Sequence, residues 1–360
     1  MKICICLGTR PEIIKMSSLI RLCAKHKEDY FIIHTGQHYS YSMDKIFFEE
    51  LELPPARYNL EVGSASHAIM TARILERIEP ILLSEKPDVV LVQGDTNTVL
   101  AAALTATKLN IKVGHVEAGL RSYDRSMPEE TNRILTDHMS DYLFCPTKAA
   151  AQIARNEQIS ETKIHTVGNT IVDAVYANLE IARRKADALT KYNLTLGNYF
   201  LITAHRQENV DNKHKLTNIL TAFGNLAQQY NIPVFYPIHP RARKMITTFN
   251  IPLPPGVILE EPCSFMEFLQ LEEGAKLILT DSGGVQEEAC ILHIPCVTLR
   301  ENTERPETIN VGGNMLAGTD VNRILNAVEI MLSKQRTWPN PFGDGRAAQQ
   351  IIHILKNKKS

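Results

Sequence analysis

Leu277-Ile278-Leu279-Thr280-Asp281-Ser282-Gly283-Gly284-Val285-Gln286-Glu287-Glu288 decides the fold class. Three apolar residues in a row, without polar alternation, describe a short strand buried on both faces, as in a parallel sheet covered by helices. The polar turn and two glycines that follow describe the start of a helix. Val89-Val90-Leu91-Val92-Gln93-Gly94-Asp95-Thr96 repeats this grammar in the first half of the chain.

Working outward, β-rich runs alternate with helical segments along the whole chain. The first half has Lys2–Leu7, Phe31–His34, Asp88–Gln93, Val113–Val116 and Tyr142–Cys145. The second has Tyr199–Thr203, Val234–Tyr236, Val257–Leu259, Leu277–Thr280 and Pro295–Thr298. Such alternation predicts an α/β protein with two doubly wound, Rossmann-like domains. The boundary falls in or beside the helical stretch Thr170–Lys191, giving an N-terminal domain over 1–169 and a C-terminal domain over 170–344. Gly345–Lys359 carries Ala348, Ile351, Ile352 and Leu355 at helical spacing and predicts an amphipathic helix that must dock.

The 360 residues are 44% hydrophobic and 22% charged, with 39 Lys+Arg against 40 Asp+Glu. A core for each half is affordable, and no global field draws nucleic acid or an anionic membrane. No run approaches the roughly 18 apolar residues of a membrane span. Met1–Leu7 enters the first strand directly, so a cytoplasmic protein is expected. The seven cysteines include no CxxC pair. Reduced core residues are expected, with no metal site and with Cys4 and Cys6 packed on one face of their strand.

In open α/β sheets, ligands bind beyond the carboxyl ends of the strands. The loops there carry Gly8-Thr9-Arg10-Pro11-Glu12 with Lys15, Gly94-Asp95-Thr96, Glu117-Ala118-Gly119-Leu120-Arg121, Ala204-His205-Arg206-Gln207-Glu208-Asn209 and Thr280–Glu288. Each has two readings. Ser282, Gly283 and Gly284 are either a phosphate cradle at a helix N-terminus or an ordinary helix start capped by Asp281 or Ser282. Arg10 and Lys15 either face a diphosphate or are solvated charges. His205 either binds phosphate and moves protons or packs. Asp95, Glu117 and Glu129 are either acid/base groups around one cleft or separate helix caps and dipole partners. Neither GxGxxG nor GxxxxGK[ST] occurs in a strand-to-helix setting, which excludes the usual NAD and P-loop fingerprints.

Taken together with His115-Val116-Glu117, Pro128-Glu129-Glu130, Thr170-Ile171-Val172-Asp173-Ala174 and Glu304-Arg305-Pro306-Glu307, these motifs resemble, in order from Met1 to Gly345, the non-hydrolysing UDP-N-acetylglucosamine 2-epimerases. The resemblance implies a glycosyltransferase-B-like fold whose two domains face a central cleft, with the helix of 345–360 returning to the first domain. It implies reversible epimerisation at C2 without NAD or another cofactor, a UDP-sugar as partner, and a homodimer serving cell-surface polysaccharide synthesis. The family's catalytic carboxylates fall on Asp95, Glu117 and Glu129, and its strand-end histidine on His205. Its UDP contacts fall on Arg10, Lys15, Ser282, Gly283, Gly284, Glu288 and Arg305, with Phe268 near uracil. Some bacterial members have a second, regulatory substrate site. Gln37 and His239 match it in type, whereas Ser40 and Gly63–His67 do not, so activation by substrate is not expected. Rival readings are an epimerase of UDP-2,3-diacetamido-glucuronic acid, a retaining glycosyltransferase and a nucleotide-sugar sensor. Uronate enzymes read Gly-Ala-Arg-Pro-Gln where this chain has Thr9 and Glu12. The last two rivals have no use for the three carboxylates.

Overall fold

A strand that is apolar at every position needs cover on both faces, and each of the two sheets in this chain has it. The computed structural model describes residues 1–36 and 41–357, the side chains of 41–45 excepted; Gln37 and Ser40 lie outside the described residues. The chain divides into one unit of Met1–Ala177 with Phe342–Ser360 and a second of Asn178–Pro341. The division falls within a single helix, Thr170–Lys185.

In the first unit the strands are β1 (Lys2–Leu7), β2 (Asp29–His34), β3 (Tyr58–Asn59), β4 (Val89–Gln93), β5 (Lys112–Val116), β6 (Tyr142–Cys145) and β7 (Ile164–Thr166). They pair in parallel in the order β3-β2-β1-β4-β5-β6-β7. Cys4, Cys6, Phe31, Ile33, Val90 and Val92 fill the face under the helices His67–Glu85 and Asn97–Lys108. All seven cysteines are free thiols, and Cys4 and Cys6 share that packed face. The intervening β1 residues Ile3, Ile5 and Leu7 are equally buried on the opposite face.

The second unit repeats the plan. Its strands β8 (Phe200–Thr203), β9 (Val234–Pro237), β10 (Val257–Glu260), β11 (Leu277–Thr280), β12 (Cys296–Thr298) and β13 (Asn314–Leu316) lie in the order β10-β9-β8-β11-β12-β13, again parallel. Phe200, Ile202, Leu277 and Leu279 pack into one core, while Leu201 and Ile278 pack into another. Alternate residues of an unbroken apolar run therefore serve opposite layers, which is why no polar alternation is present. Both sheets reverse strand order beside their first strand, between β1 and β4 and between β8 and β11. These are the switch points at which doubly wound sheets open a crevice.

Three strands lie outside the ten expected from sequence: β3, β7 and β13. They contain two or three residues each and are the outermost strands of their sheets, too short for any periodicity. The fold class itself is glycosyltransferase-B-like, with two α/β units. Among the described residues, no helix is long and apolar enough to cross a membrane.

The closing helix, Ala347–Asn357, buries Ala347, Ala348, Ile351, Ile352 and Leu355 in the first unit and packs against the helix Arg10–Lys25. Its first N–H groups, at Ala347 and Ala348, donate to the Asp173 carboxylate at 3.2 and 3.0 Å. Asp173 thus caps a helix 174 residues further along the chain. Replacing Asp173 by Ala strands those donors and is expected to cost about 1–2 kcal/mol, as loss of an N-cap does. Urea unfolding of the two proteins measures the difference.

Candidate active site

The β1 and β4 loops of the first unit are joined by one buried side chain. Glu12, 2% exposed, accepts from the backbone N–H of Gly8 and Thr9 with Oε2 and from the Thr96 hydroxyl with Oε1, at 2.5 Å. Burial pushes its carboxyl up to about 7, against the lowering effect of those three donors. Gly8 has to be glycine here, because a Cβ would fall 2.0 Å from Thr98 Oγ1. Arg10, one residue before Pro11, is exposed and stacks over the Phe47 ring at 5.6 Å.

After β5 the chain turns sharply. Glu117 adopts a left-handed conformation, φ +70°, uncommon for a residue with a Cβ and characteristic of functional turns. Its side chain is buried, and Lys15 Nζ donates to both carboxylate oxygens at 2.8 and 2.6 Å. Gln93, the last residue of β4, donates to the same carboxylate. Lys15 is therefore held at Glu117, and the two sequence candidates form one buried ion pair.

The turn is fixed from below by Asp137, which is fully buried. Its carboxylate faces His115 Nδ1 at 2.7 Å and accepts from Gly119 N at 3.1 Å and Arg121 Nη1 at 2.6 Å. His115 Nε2 in turn lies 2.7 Å from the Gly94 carbonyl, linking the β4 and β5 loops. Burial opposes charge on both partners. The mutual attraction outweighs it, raising the His115 pKa and lowering that of Asp137.

The helix Pro128–Met139 brings the remaining groups. Arg133 donates to the Asp95 carboxylate and, at 2.9 Å, to Glu130. Glu130, 1% exposed, also accepts from Ser122 N and Tyr123 N at 2.9 and 2.8 Å, pinning the loop before the helix. Its neighbour Glu129 is half-buried in the first helical turn, and no hydrogen bond or ion pair engages it among the described residues.

In the second unit a buried carboxylate again spans the switch point. Asp281, fully buried after β11, accepts from His205 N at 3.0 Å and Arg206 N at 3.0 Å in the loop after β8, and from Asn209 Nδ2 at 3.1 Å in the short helix Gln207–Val210 that follows. The His205 imidazole lies 3.2 Å away through Nδ1. Burial alone would raise the Asp281 pKa, but His205 and the amide donors bring it below the usual range. Asp281 thereby orients His205, leaving Nε2 for other work.

Ser282, Gly283 and Gly284 open the helix Gly283–Ile291. The Ser282 side chain makes no capping hydrogen bond, so the simple capping reading fails for it. Neither glycine has positive φ, and an added Cβ would meet no atom nearer than 3.9 Å. Nothing within the fold demands glycine at two positions where it weakens a helix by about 1 kcal/mol each. Open backbone N–H groups at a helix N-terminus are the geometry that receives phosphate. Glu288 follows on the same helix, beside the buried carboxyl of Glu272. Arg305 pairs with Glu287 at 2.7 Å, and Phe268 is half-buried against the core that contains Leu271 and Ala275.

Sequence reasoning passed over Gln93, Glu130, Arg133, Asp137 and Glu272, and saw Asp281 only as a cap. Asp137 meets His115 and Gly119 across 22 and 18 residues, so no local pattern marks it. Arg133 carried a signal in its spacing, three residues after Glu130 on one helix face.

The family model for UDP-N-acetylglucosamine 2-epimerase matches residues 21–356. A UDP-N-acetylglucosamine 2-epimerase of Methanocaldococcus jannaschii is 55% identical over 361 residues, covering 99% of both chains. A crystal structure of the UDP-GlcNAc 2-epimerase from that organism, in complex with UDP-GlcNAc and UDP, superposes with a TM-score of 0.85 at 55% identity, over 99% of this chain and 100% of that one. The UDP-2,3-diacetamido-2,3-dideoxy-D-glucuronate 2-epimerase of Pseudomonas aeruginosa is 39% identical over 360 residues, 99% of each chain.

Glu12 gives this network a defined pH dependence. With its pKa raised from 4.5 to about 7, the folded state binds more protons than the unfolded one across that interval. Stability from this group is fully present below pH 4.5 and is lost as pH rises through 7. Glu12→Gln keeps an acceptor for the loop N–H groups and cannot ionise. Relative to wild type it is expected to gain roughly 2–3 kcal/mol on going from pH 4.5 to 7.5. Denaturant unfolding at both pH values checks the sign: an unchanged difference would mean Glu12 is charged throughout.

Proposed function

Because the chain belongs to the UDP-N-acetylglucosamine 2-epimerase family, we propose that it interconverts UDP-N-acetylglucosamine and UDP-N-acetylmannosamine by eliminating and re-adding UDP. The C2 hydrogen of the sugar is not next to a carbonyl and is weakly acidic. Its removal becomes feasible when the C1–O bond to UDP breaks in the same event, leaving 2-acetamidoglucal. Protonating C2 on the opposite face while UDP returns to C1 gives the epimer. No electrons are gained or lost overall, so no nicotinamide is called for.

The observation that carries this reading is the left-handed, buried Glu117 with Lys15 locked on its carboxylate. The first unit carries two further candidate carboxylates of different character. Glu129 has no partner among the described residues, and Asp95 is held by Arg133 with its side chain 35% exposed. Epimerisation needs a base on one face of C2 and an acid on the other, and Asp95 and Glu129 suit that exchange. Glu117 holds the Lys15 ammonium where it meets negative charge on departing UDP. In the second unit Ser282, Gly283 and Gly284 receive the diphosphate, His205 Nε2 and Arg305 assist, Glu288 accepts from the ribose, and Phe268 lies along uracil.

Relatives of 55% identity carry the simple-sugar name and one of 39% the uronate name, which favours the simple sugar. Glu12, the position that differs from the uronate motif, is buried under the loop and is not itself a specificity contact. On this reading the protein is a cytoplasmic homodimer that supplies cell-surface polysaccharide assembly.

Proton NMR of UDP-N-acetylglucosamine with the protein in deuterated water should show a manno signal and deuterium at C2. Asp95→Asn and Glu129→Gln should each fold and bind UDP while turnover falls about 100-fold or more, the scale of a lost acid or base, and Glu117→Gln, which releases Lys15, should lower turnover about as much. Near wild-type turnover in all three would make the carboxylates structural.

A further inference from the structure

Glu272 has no role in the chemistry above, yet it is the most anomalous side chain of the second unit. It lies near the end of the helix Phe265–Gly274 and is fully buried. Neither carboxyl oxygen has a protein donor. The carboxyl beside it is that of Glu288, on the adjacent helix Gly283–Ile291. Two carboxyl groups can bond only if one of them carries a proton.

The surroundings decide which one. Glu288 is half-exposed and is solvated on one side. The titratable groups that interact with Glu272 resist a second negative charge. These are Glu288 itself, the buried Tyr199 before β8, whose hydroxyl donates to the Leu271 carbonyl, and the buried Cys296 thiol on β12. The short helix Ala188–Lys191 also packs here, but its Lys191 is committed to Glu267, and Arg183 is committed to the neighbouring Glu273. No cation is available to Glu272 among the described residues. Burial first, and the Glu288 carboxylate second, push its pKa well above the usual carboxylate range.

We infer that Glu272 is a positioning residue for nucleoside recognition: its carboxyl stays protonated and donates to Glu288, fixing that carboxylate to accept both hydroxyls of the ribose. The inference rests on the reading of Glu288 as the ribose acceptor. A buried carboxyl without donors lowers stability, and a leucine of similar length would pack there with less cost. The side chain is therefore one in which stability is given up for geometry at a site.

Calorimetry of UDP and 2′-deoxy-UDP with wild type, Glu272→Gln, Glu272→Leu and Glu288→Ala tests it, alongside thermal unfolding. Glu272→Gln retains a donor and should bind UDP within about 2-fold of wild type, a factor worth little free energy. Glu272→Leu should unfold at a higher temperature than wild type, bind UDP about 10-fold more weakly, the order of one lost hydrogen bond to a charge, and lose its preference for UDP over the deoxy analogue. Wild-type UDP affinity in Glu272→Leu, or equal losses in Glu272→Leu and Glu272→Gln, would overturn the inference while a weakened Glu288→Ala left the ribose assignment standing. Undiminished binding by Glu288→Ala would instead overturn the ribose assignment itself. Infrared difference spectra provide a check that needs no Leu variant. A protonated-carboxyl band that UDP binding shifts should be present at neutral pH in wild type and missing in Glu272→Gln; its absence in wild type would also refute the inference.

Discussion

A buried carboxylate that accepts backbone N–H groups from the loops at each switch point is the constraint on which the rest of this structure depends. Strand ladders hold a sheet but stop at its carboxyl edge, where the loops have no ladder of their own. Glu12 closes the β1 and β4 loops through Gly8, Thr9 and Thr96, and Asp281 closes the β8 and β11 loops through His205, Arg206 and Asn209. The two solutions differ electrostatically. Glu12 meets neutral donors only and is pushed up to about 7, whereas Asp281 has a histidine beside it and falls below its usual range. Asp137 performs the same service one strand further out, below the turn that carries Glu117.

Rigid loops make local sacrifices tolerable. Glu117 sits at φ +70°, two glycines begin a helix that would be stronger without them, and Glu272 occupies a core position that favours leucine. Each lowers stability by an amount that the doubly covered sheets easily offset, and the first two lie at the carboxyl edge. Sites where a sequence departs from its own structural interest are where function is expected.

The fold was legible in the sequence to the extent that burial was uniform. Val89-Val90-Leu91-Val92 and Leu277-Ile278-Leu279 announce strands covered on both faces, and both are central. The pairs and triplets Tyr58–Asn59, Ile164–Thr166 and Asn314–Leu316 are recruited by a neighbouring strand's open hydrogen bonds and carry no pattern of their own. At the site, motif residues such as Glu117, His205 and Ser282 were visible because they crowd into short polar loops. Their partners were not: Lys15 reaches Glu117 across 102 residues and His205 meets Asp281 across 76. Such pairings belong to the sheet order, which runs β1-β4-β5 in one sheet and places β8 beside β11 in the other, and no spacing in the chain encodes them. Ser282 shows the converse. Its identity suited a cap, and only the geometry shows its hydroxyl left out of capping.

The central chemical claim is that the bond between C1 and UDP breaks in every turnover. It is tested most directly with UDP-N-acetylglucosamine carrying heavy oxygen in the bridge between C1 and the β-phosphorus, followed by phosphorus NMR as the two sugars equilibrate. The account predicts that the label migrates from the bridge to non-bridging positions, because the terminal phosphate of departed UDP rotates before it adds back. Label that stays in the bridge while C2 exchanges its hydrogen and inverts would contradict it, since C2 would then epimerise without loss of UDP.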